Sequence, residues 1–163
     1  MIILEGNECC FKSTVANKLS NKLGYPIVKG SSFELSKCNN EELFKHFTEF
    51  SNLENVILDR FIYSNQVYAS LYDDYAILSD SQRKEIEDNV FEKSIVYYLY
   101  ASDDEIKKRI KSRGDEYVEL DMVGKINELY EQVMFQSNLK LRMYDTSKLS
   151  SDEIVERILS DFN

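Results

Sequence analysis

An α/β fold, with a doubly wound parallel five-stranded sheet carrying helices on both faces, is predicted by three observations. Short β-branched or apolar runs recur along the chain, apolar stripes at helical spacing separate them, and Gly or polar clusters punctuate the junctions. Parallel neighbours need long crossover connections, which the intervening helices supply. The 163 residues, 43% of them apolar, suit one compact domain spanning 1–163. A chain of this length buries roughly 70% of its unfolded surface, so the composition excludes disorder and needs no disulfide or metal to hold it together.

The elements follow in order. Ile2-Ile3-Leu4 reads as a strand ending at Gly6, and Val15, Ala16, Leu19 and Leu23 mark the helix that starts near Lys12. Gly24-Tyr25-Pro26 stops that helix, Ile27-Val28 reads as a second strand, and Leu43, Phe44, Phe47 and Phe50 give residues 40–50 a helical stripe. Val56-Ile57-Leu58 is a third strand closed by Asp59, Ile95 to Tyr100 a fourth, and the alternation of Leu139, Leu141 and Met143 a fifth. Ile126, Leu129, Tyr130, Val133 and Met134 mark the helix joining the last two strands. Ser79 with Gln82, Ser102 with Glu105, and Ser150 with Glu153 have the spacing of capping boxes, in which side chains satisfy the first amides of a helix from both ends of its first turn.

With 20 Lys and Arg against 29 Asp and Glu, the net charge of −9 repels nucleic acid over most of the surface, so any phosphate chemistry has to be local. Cys9, Cys10 and Cys38 form no C-x-x-C or Cys/His pattern, which argues for reduced thiols and against structural zinc. The first apolar run is closed by Glu5, and no run reaches the ~20 residues of a membrane helix, so a cytoplasmic protein without membrane or nucleic-acid partners is expected.

Gly6-Asn7-Glu8-Cys9-Cys10-Phe11-Lys12-Ser13-Thr14 links the first strand to the first helix, the context in which G-x-x-x-x-G-K-[ST] cradles phosphates with loop amides, a Lys and a magnesium-binding hydroxyl. Phe11 stands where a glycine lets the backbone approach a phosphate, and its ring is expected to threaten the donor site. An ordinary strand-turn-helix with a solvated Lys12 is the alternative. Asp59-Arg60 closes the third strand beside this loop; Asp can organise magnesium through water and Arg offers a planar fork to phosphate, although a surface ion pair has the same sequence. Asn65 and Tyr68 fall near the same strand end, as an amide able to read a base edge and a ring able to shape a pocket, with core packing the other reading of Tyr68. Residues 107–113 hold Lys107, Lys108, Arg109, Lys111 and Arg113, with Arg109 and Arg113 four apart on one helical face. Cations favoured near a helix C-terminus explain Lys107 and Lys108. Arg113-Gly114-Asp115-Glu116-Tyr117 reads as a mobile loop hinged at Gly114, able to bring Arg113 to transition-state charge. His46, among Leu43, Phe44 and Phe47, is read as packed or partly exposed rather than as a catalytic residue or metal ligand.

Together these segments resemble the thymidylate kinase family of P-loop nucleoside monophosphate kinases over nearly the whole chain. Ile57 to Ala69 fits the family's D-R-[FY]-x-x-S-x-x-[AV]-[FY] signature, Glu5-Gly6 its E-G loop start, Arg109 to Gly114 its lid segment, and Asp145-Thr146-Ser147 its D-[AT]-S loop beside adenine. The resemblance implies a short lid around 109–119 and an ATP site formed by Gly6, Lys12, Ser13, Thr14, Arg109 and Arg113. It implies Mg2+ near Ser13 and Asp59, and Lys12, Arg60 and Arg113 as the catalytic cations. Glu8, Lys29, Phe44, Arg60, Asn65, Tyr68 and Tyr117 then line the acceptor, with Phe44 stacked on the base and Tyr68 against the sugar. Thr48 stands where the family has a base-reading Arg, and Lys29-Gly30-Ser31-Ser32 replaces its acidic-Arg phosphate segment.

The expected activity is ATP- and Mg2+-dependent phosphorylation of a deoxynucleoside 5′-monophosphate, dTMP or a related pyrimidine nucleotide, to the diphosphate, with a homodimer compatible with the resemblance. A deoxynucleoside kinase using Glu34 as base, and a nucleotide-binding protein without turnover, are the alternatives.

Overall fold

Alternation along the strands sorts the core into two layers. The computed structural model describes residues 1–30, 37–114 and 119–162. Five strands, β1 (Ile2–Glu5), β2 (Ile27–Lys29), β3 (Ile57–Asp59), β4 (Ile95–Tyr100) and β5 (Leu141–Asp145), form one parallel sheet in the order β2-β3-β1-β4-β5. Successive strand side chains point to opposite faces. Ile3, Leu58, Val96 and Tyr98 accordingly enter one cluster, and Ile2, Leu4, Ile57, Tyr97 and Leu99 the other. Helices α1 (Lys12–Leu23), α5 (Asp103–Arg113) and α7 (Ser151–Ser160) cover the second cluster. On the first lie α2 (Asn40–Ser51), α3 (Ile62–Ala69), α4 (Asp80–Val90) and α6 (Val123–Phe135). The doubly wound five-stranded architecture expected from the sequence is therefore the one found. No helix among the described residues is long and apolar enough to cross a membrane.

Side-chain caps fix most helix starts. Ser79 and Ser150 form full capping boxes with Gln82 and Glu153, and Asn39 with Glu42 adds a third that the sequence reading had not used. The box expected at Ser102 is only half formed. Ser102 accepts the Glu105 amide, but the Glu105 carboxylate turns away to accept the Arg109 Nε–H at 2.8 Å. The expected break at Arg113 is also displaced, because α5 runs through Arg113 and Gly114 terminates it as a left-handed C-cap at φ 70°. Arg113 is thus a helical residue, one turn after Arg109, rather than the start of a loop. The fifth strand begins at Leu141, with Leu139 buried just before it.

Two glycines allow close approaches at the carboxyl end of the sheet. A Cβ on Gly6 would run into the Leu99 carbonyl on β4, and one on Gly30 into the Arg60 carbonyl, whose neighbour Asp59 accepts the Gly30 N–H at 3.2 Å. Gly30→Ala is expected to cost roughly 1–3 kcal/mol by overpacking the β2–β3 corner. Denaturant melts of the variant check this.

Candidate phosphate-transfer site

Residues Gly6 to Phe11 connect the end of β1 to α1 at the centre of the sheet, where an open α/β fold binds its ligands. The loop is anchored by Asn7, which donates from Nδ2 to the Val123 carbonyl and to Asn127 Oδ1 (2.8 Å) and accepts the Glu8 amide (2.7 Å). Cys9 and Phe11 take left-handed conformations at φ 56° and 63°, so the chain keeps a glycine-like backbone before Lys12 despite carrying a side chain. The Phe11 ring turns toward Arg109, whose guanidinium carbon lies 4.5 Å from the ring centroid. A cleft of about 570 Å³ remains, bounded by Glu8, Lys12, Ser13, Thr14 and Arg113 as well as by that ring. The Phe11 ring, expected to threaten the donor site, forms part of the wall of this cleft.

Lys12 is buried and its Nζ donates to the Asn7 carbonyl at 2.5 Å, curling across the loop. Burial pushes its ammonium pKa down and Arg60 adds to this, while Glu8, Cys10 and Asp59 pull the other way. A cation so placed has shed most of its water before any ligand arrives. Ser13 Oγ donates to Asp59 Oδ2 at 3.1 Å, bringing together the hydroxyl and carboxylate that the sequence assigned to magnesium. Thr14 is exposed at the start of α1.

Arg60 ends β3 in a left-handed conformation at φ 74°. From Nη1 it donates to the Gly6 carbonyl (3.0 Å), Ser64 Oγ (3.2 Å) and Tyr130 Oη (2.7 Å), and from Nη2 to Glu8. Its position is set by Glu5, fully buried at the end of β1. Glu5 accepts the Phe61 and Ser64 amides at 2.7 and 3.2 Å and the Ser64 hydroxyl at 2.5 Å, capping α3 from a different strand. Burial raises the Glu5 carboxyl from 4.5 to about 7, against the opposing effects of Ser64, Arg60 and the two amides. For Glu8, burial acts upward, but Arg60, Lys12 and Arg113 outweigh it and hold this carboxyl below its usual range.

The acceptor residues divide. Glu8 and Tyr68 gather around Arg60, which lies 5.5 Å above the Tyr68 ring. Asn65 is buried on α3, with Nδ2 donating to the Ala76 carbonyl at 2.9 Å and Oδ1 without a partner among the described residues. Phe44 packs against the core on α2, and Lys29 is exposed at the end of β2; neither shares a hydrogen bond or ion pair with the Arg60 cluster among the described residues. Thr48 donates to the Phe44 carbonyl within α2. Ser31, Ser32, Glu34 and Tyr117 lie outside the described residues, as does part of the expected lid. His46 is half-buried and packs against Phe50 and Phe47, with ring centroids 4.2 and 5.4 Å away.

Asn7, Asn127 and Tyr130 were missed as supports of the site. Tyr130 reads in sequence only as one position of an apolar stripe, and the Asn7–Asn127 pair spans 120 residues.

Fold and site define a P-loop kinase: a phosphate-binding loop after the central strand, a Lys inside it, and an Asp-Arg pair closing the adjacent strand. The chain belongs to the shikimate kinase family, whose model matches residues 8–163. It is 53% identical over 159 residues to the SPbeta prophage-derived uncharacterized protein YorR of Bacillus subtilis (strain 168), covering 98% of this chain and 96% of that one. The crystal structure of Bacillus subtilis YorR in complex with phosphorylated GDP superposes with a TM-score of 0.95 at 52% identity, over 99% of this chain and 94% of that chain. A deoxyadenosine kinase from M. mycoides with bound dCTP gives a TM-score of 0.65 over 100% and 99% of the two chains; its 24% identity is a likeness of fold alone.

These findings correct the thymidylate kinase reading. Thymidylate kinase from Candida albicans is only 19% identical, with a TM-score of 0.61 over 99% of this chain and 89% of that one. The physical reason lies in what the signature encodes. Asp59, Arg60 and Ser64 build a strand-to-helix corner held by Glu5, so a match to the signature reports how that corner folds and not which kinase family carries it.

Proposed function

We propose that this P-loop phosphotransferase moves the γ-phosphoryl group of a nucleoside triphosphate onto a nucleoside monophosphate. The observation that carries the reading is the convergence of Lys12, Ser13, Asp59 and Arg60 on one loop, with Arg113 across the cleft. The phosphorylated GDP in the YorR crystal structure supports a nucleotide ligand. In this reading the loop amides and Lys12 bind the donor phosphates, Arg60 and Arg113 meet the charge on the transferring group, and Asn65 Oδ1 accepts an N–H from the acceptor base.

Mg2+ fits the Ser13 hydroxyl and Asp59 carboxylate, since oxygen ligands suit a hard cation that keeps several waters. No group of three or more His, Cys, Asp or Glu gathers into a metal cage among the described residues. Bound there, the ion would neutralise charge on the donor phosphates.

Glu8 does not favour a sugar hydroxyl as acceptor, and Glu34, the base of the nucleoside kinase alternative, lies outside the described residues. Held ionised by Arg60, Glu8 is a weak proton acceptor, whereas an acceptor phosphate with a second pKa near ~6 is already largely ionised at neutral pH. Incubation with ATP or GTP, Mg2+ and a panel of nucleosides, ribo- and deoxynucleoside monophosphates, and shikimate tests the reading. Diphosphate from at least one monophosphate is expected; transfer to shikimate or to nucleosides alone would overturn it.

A further inference from the structure

Phe11 keeps a bulky side chain at a backbone position, φ 63° and ψ 5°, that glycine would adopt without strain. It gives α1 no side-chain cap in return. Its ring lies against Arg109, which makes four hydrogen bonds of its own. The guanidinium donates from Nε to Glu105 (2.8 Å), from Nη1 to the Cys9 carbonyl (3.1 Å) and Thr146 Oγ1 (2.9 Å), and from Nη2 to the Thr146 carbonyl (2.8 Å). With those bonds and the ring upon it, the Arg109 side chain is only 16% exposed. Arg109 and the half-buried Phe11 both line the cleft, and Phe11 supplies its one aromatic surface among the described residues. A flat ring packed against a cation, in the same cleft as a phosphate loop, matches a ligand that joins a phosphate tail to a planar base.

We propose that the Phe11 ring is the platform on which the base of the donor nucleoside triphosphate stacks, with Arg109 as its rigid backing. The inference rests on the donor-site reading above and adds the part that holds the base. A stacking contact of this kind corresponds to about 5- to 150-fold in affinity.

Isothermal titration of the wild type, Phe11→Gly and Phe11→Trp with MgATP, MgGTP and inorganic tripolyphosphate tests it. Phe11→Gly is expected to weaken both nucleotides about 10- to 100-fold, leave tripolyphosphate within twofold, and keep or raise the melting temperature because the strain is relieved. Phe11→Trp is expected to restore nucleotide affinity. Nucleotide binding by Phe11→Gly as tight as by the wild type, or an equal loss for tripolyphosphate, would overturn the platform while leaving the donor site in place. A wild type that binds none of the three would overturn the donor site itself.

Discussion

Lys12→Met should abolish most phosphoryl transfer while leaving the fold intact. Turnover is expected to fall by at least about 100-fold, the scale seen when one preorganised donor to developing charge is removed. Stability should move by no more than about 1 kcal/mol, because two effects oppose each other. Removing the ammonium leaves the Asn7 carbonyl without its 2.5 Å partner, but it also removes a cation buried close to Arg60. A steady-state assay beside a thermal melt checks both halves. Loss of activity through unfolding would place Lys12 in the scaffold instead.

Glu5→Ala should show the reverse pattern, with stability falling first. Phe61 begins α3 without any side-chain cap of its own, and among the described residues Glu5 satisfies the Phe61 and Ser64 amides and accepts the Ser64 hydroxyl. Deleting it leaves two buried N–H groups and a hydroxyl to find other partners, a cost of roughly 3–5 kcal/mol. That is a large share of the ~5–15 kcal/mol that holds a domain together. The same residue gives a pH signature. Between 4.5 and about 7 the native carboxyl retains a proton that the unfolded chain has released. The Glu5 contribution is therefore complete below 4.5 and is lost as pH rises through about 7, by about 3 kcal/mol in all. Urea melts across that range should show the decline in the wild type and a flatter profile in Glu5→Gln.

Much of this arrangement was legible in the sequence because it is local. The stripe of Val15, Ala16 and Leu19, the β-branched run before Asp59, and the caps at Ser79 and Ser150 each report a few consecutive residues, and each lies where the spacing puts it. The phosphate loop and the Asp59-Arg60 corner were legible for the same reason. What could not be read is set by distance along the chain. The Glu105 carboxylate abandons its capping box because Arg109 competes for it, and Arg109 is in turn held by Thr146, 37 residues away. Asn7 reaches Asn127, and Tyr130 reaches Arg60 across 70 residues. The direction of the Phe11 ring was equally out of reach, because it depends on a left-handed backbone and on a guanidinium supplied by α5. The family assignment failed on a different ground: a corner motif fitted at every fixed position describes how Arg60 is held and not which family carries it.

The central claim is that the loop from Gly6 to Thr14 receives the phosphates of a nucleoside triphosphate. Amide chemical shifts followed by NMR during titration with Mg2+ and a non-hydrolysable GTP or ATP analogue test it most directly. The account predicts saturable shifts that are largest for Glu8 to Thr14, with smaller ones at Asp59, Arg60 and Arg113. Saturable shifts centred elsewhere, with the Glu8 to Thr14 amides unmoved, would contradict it.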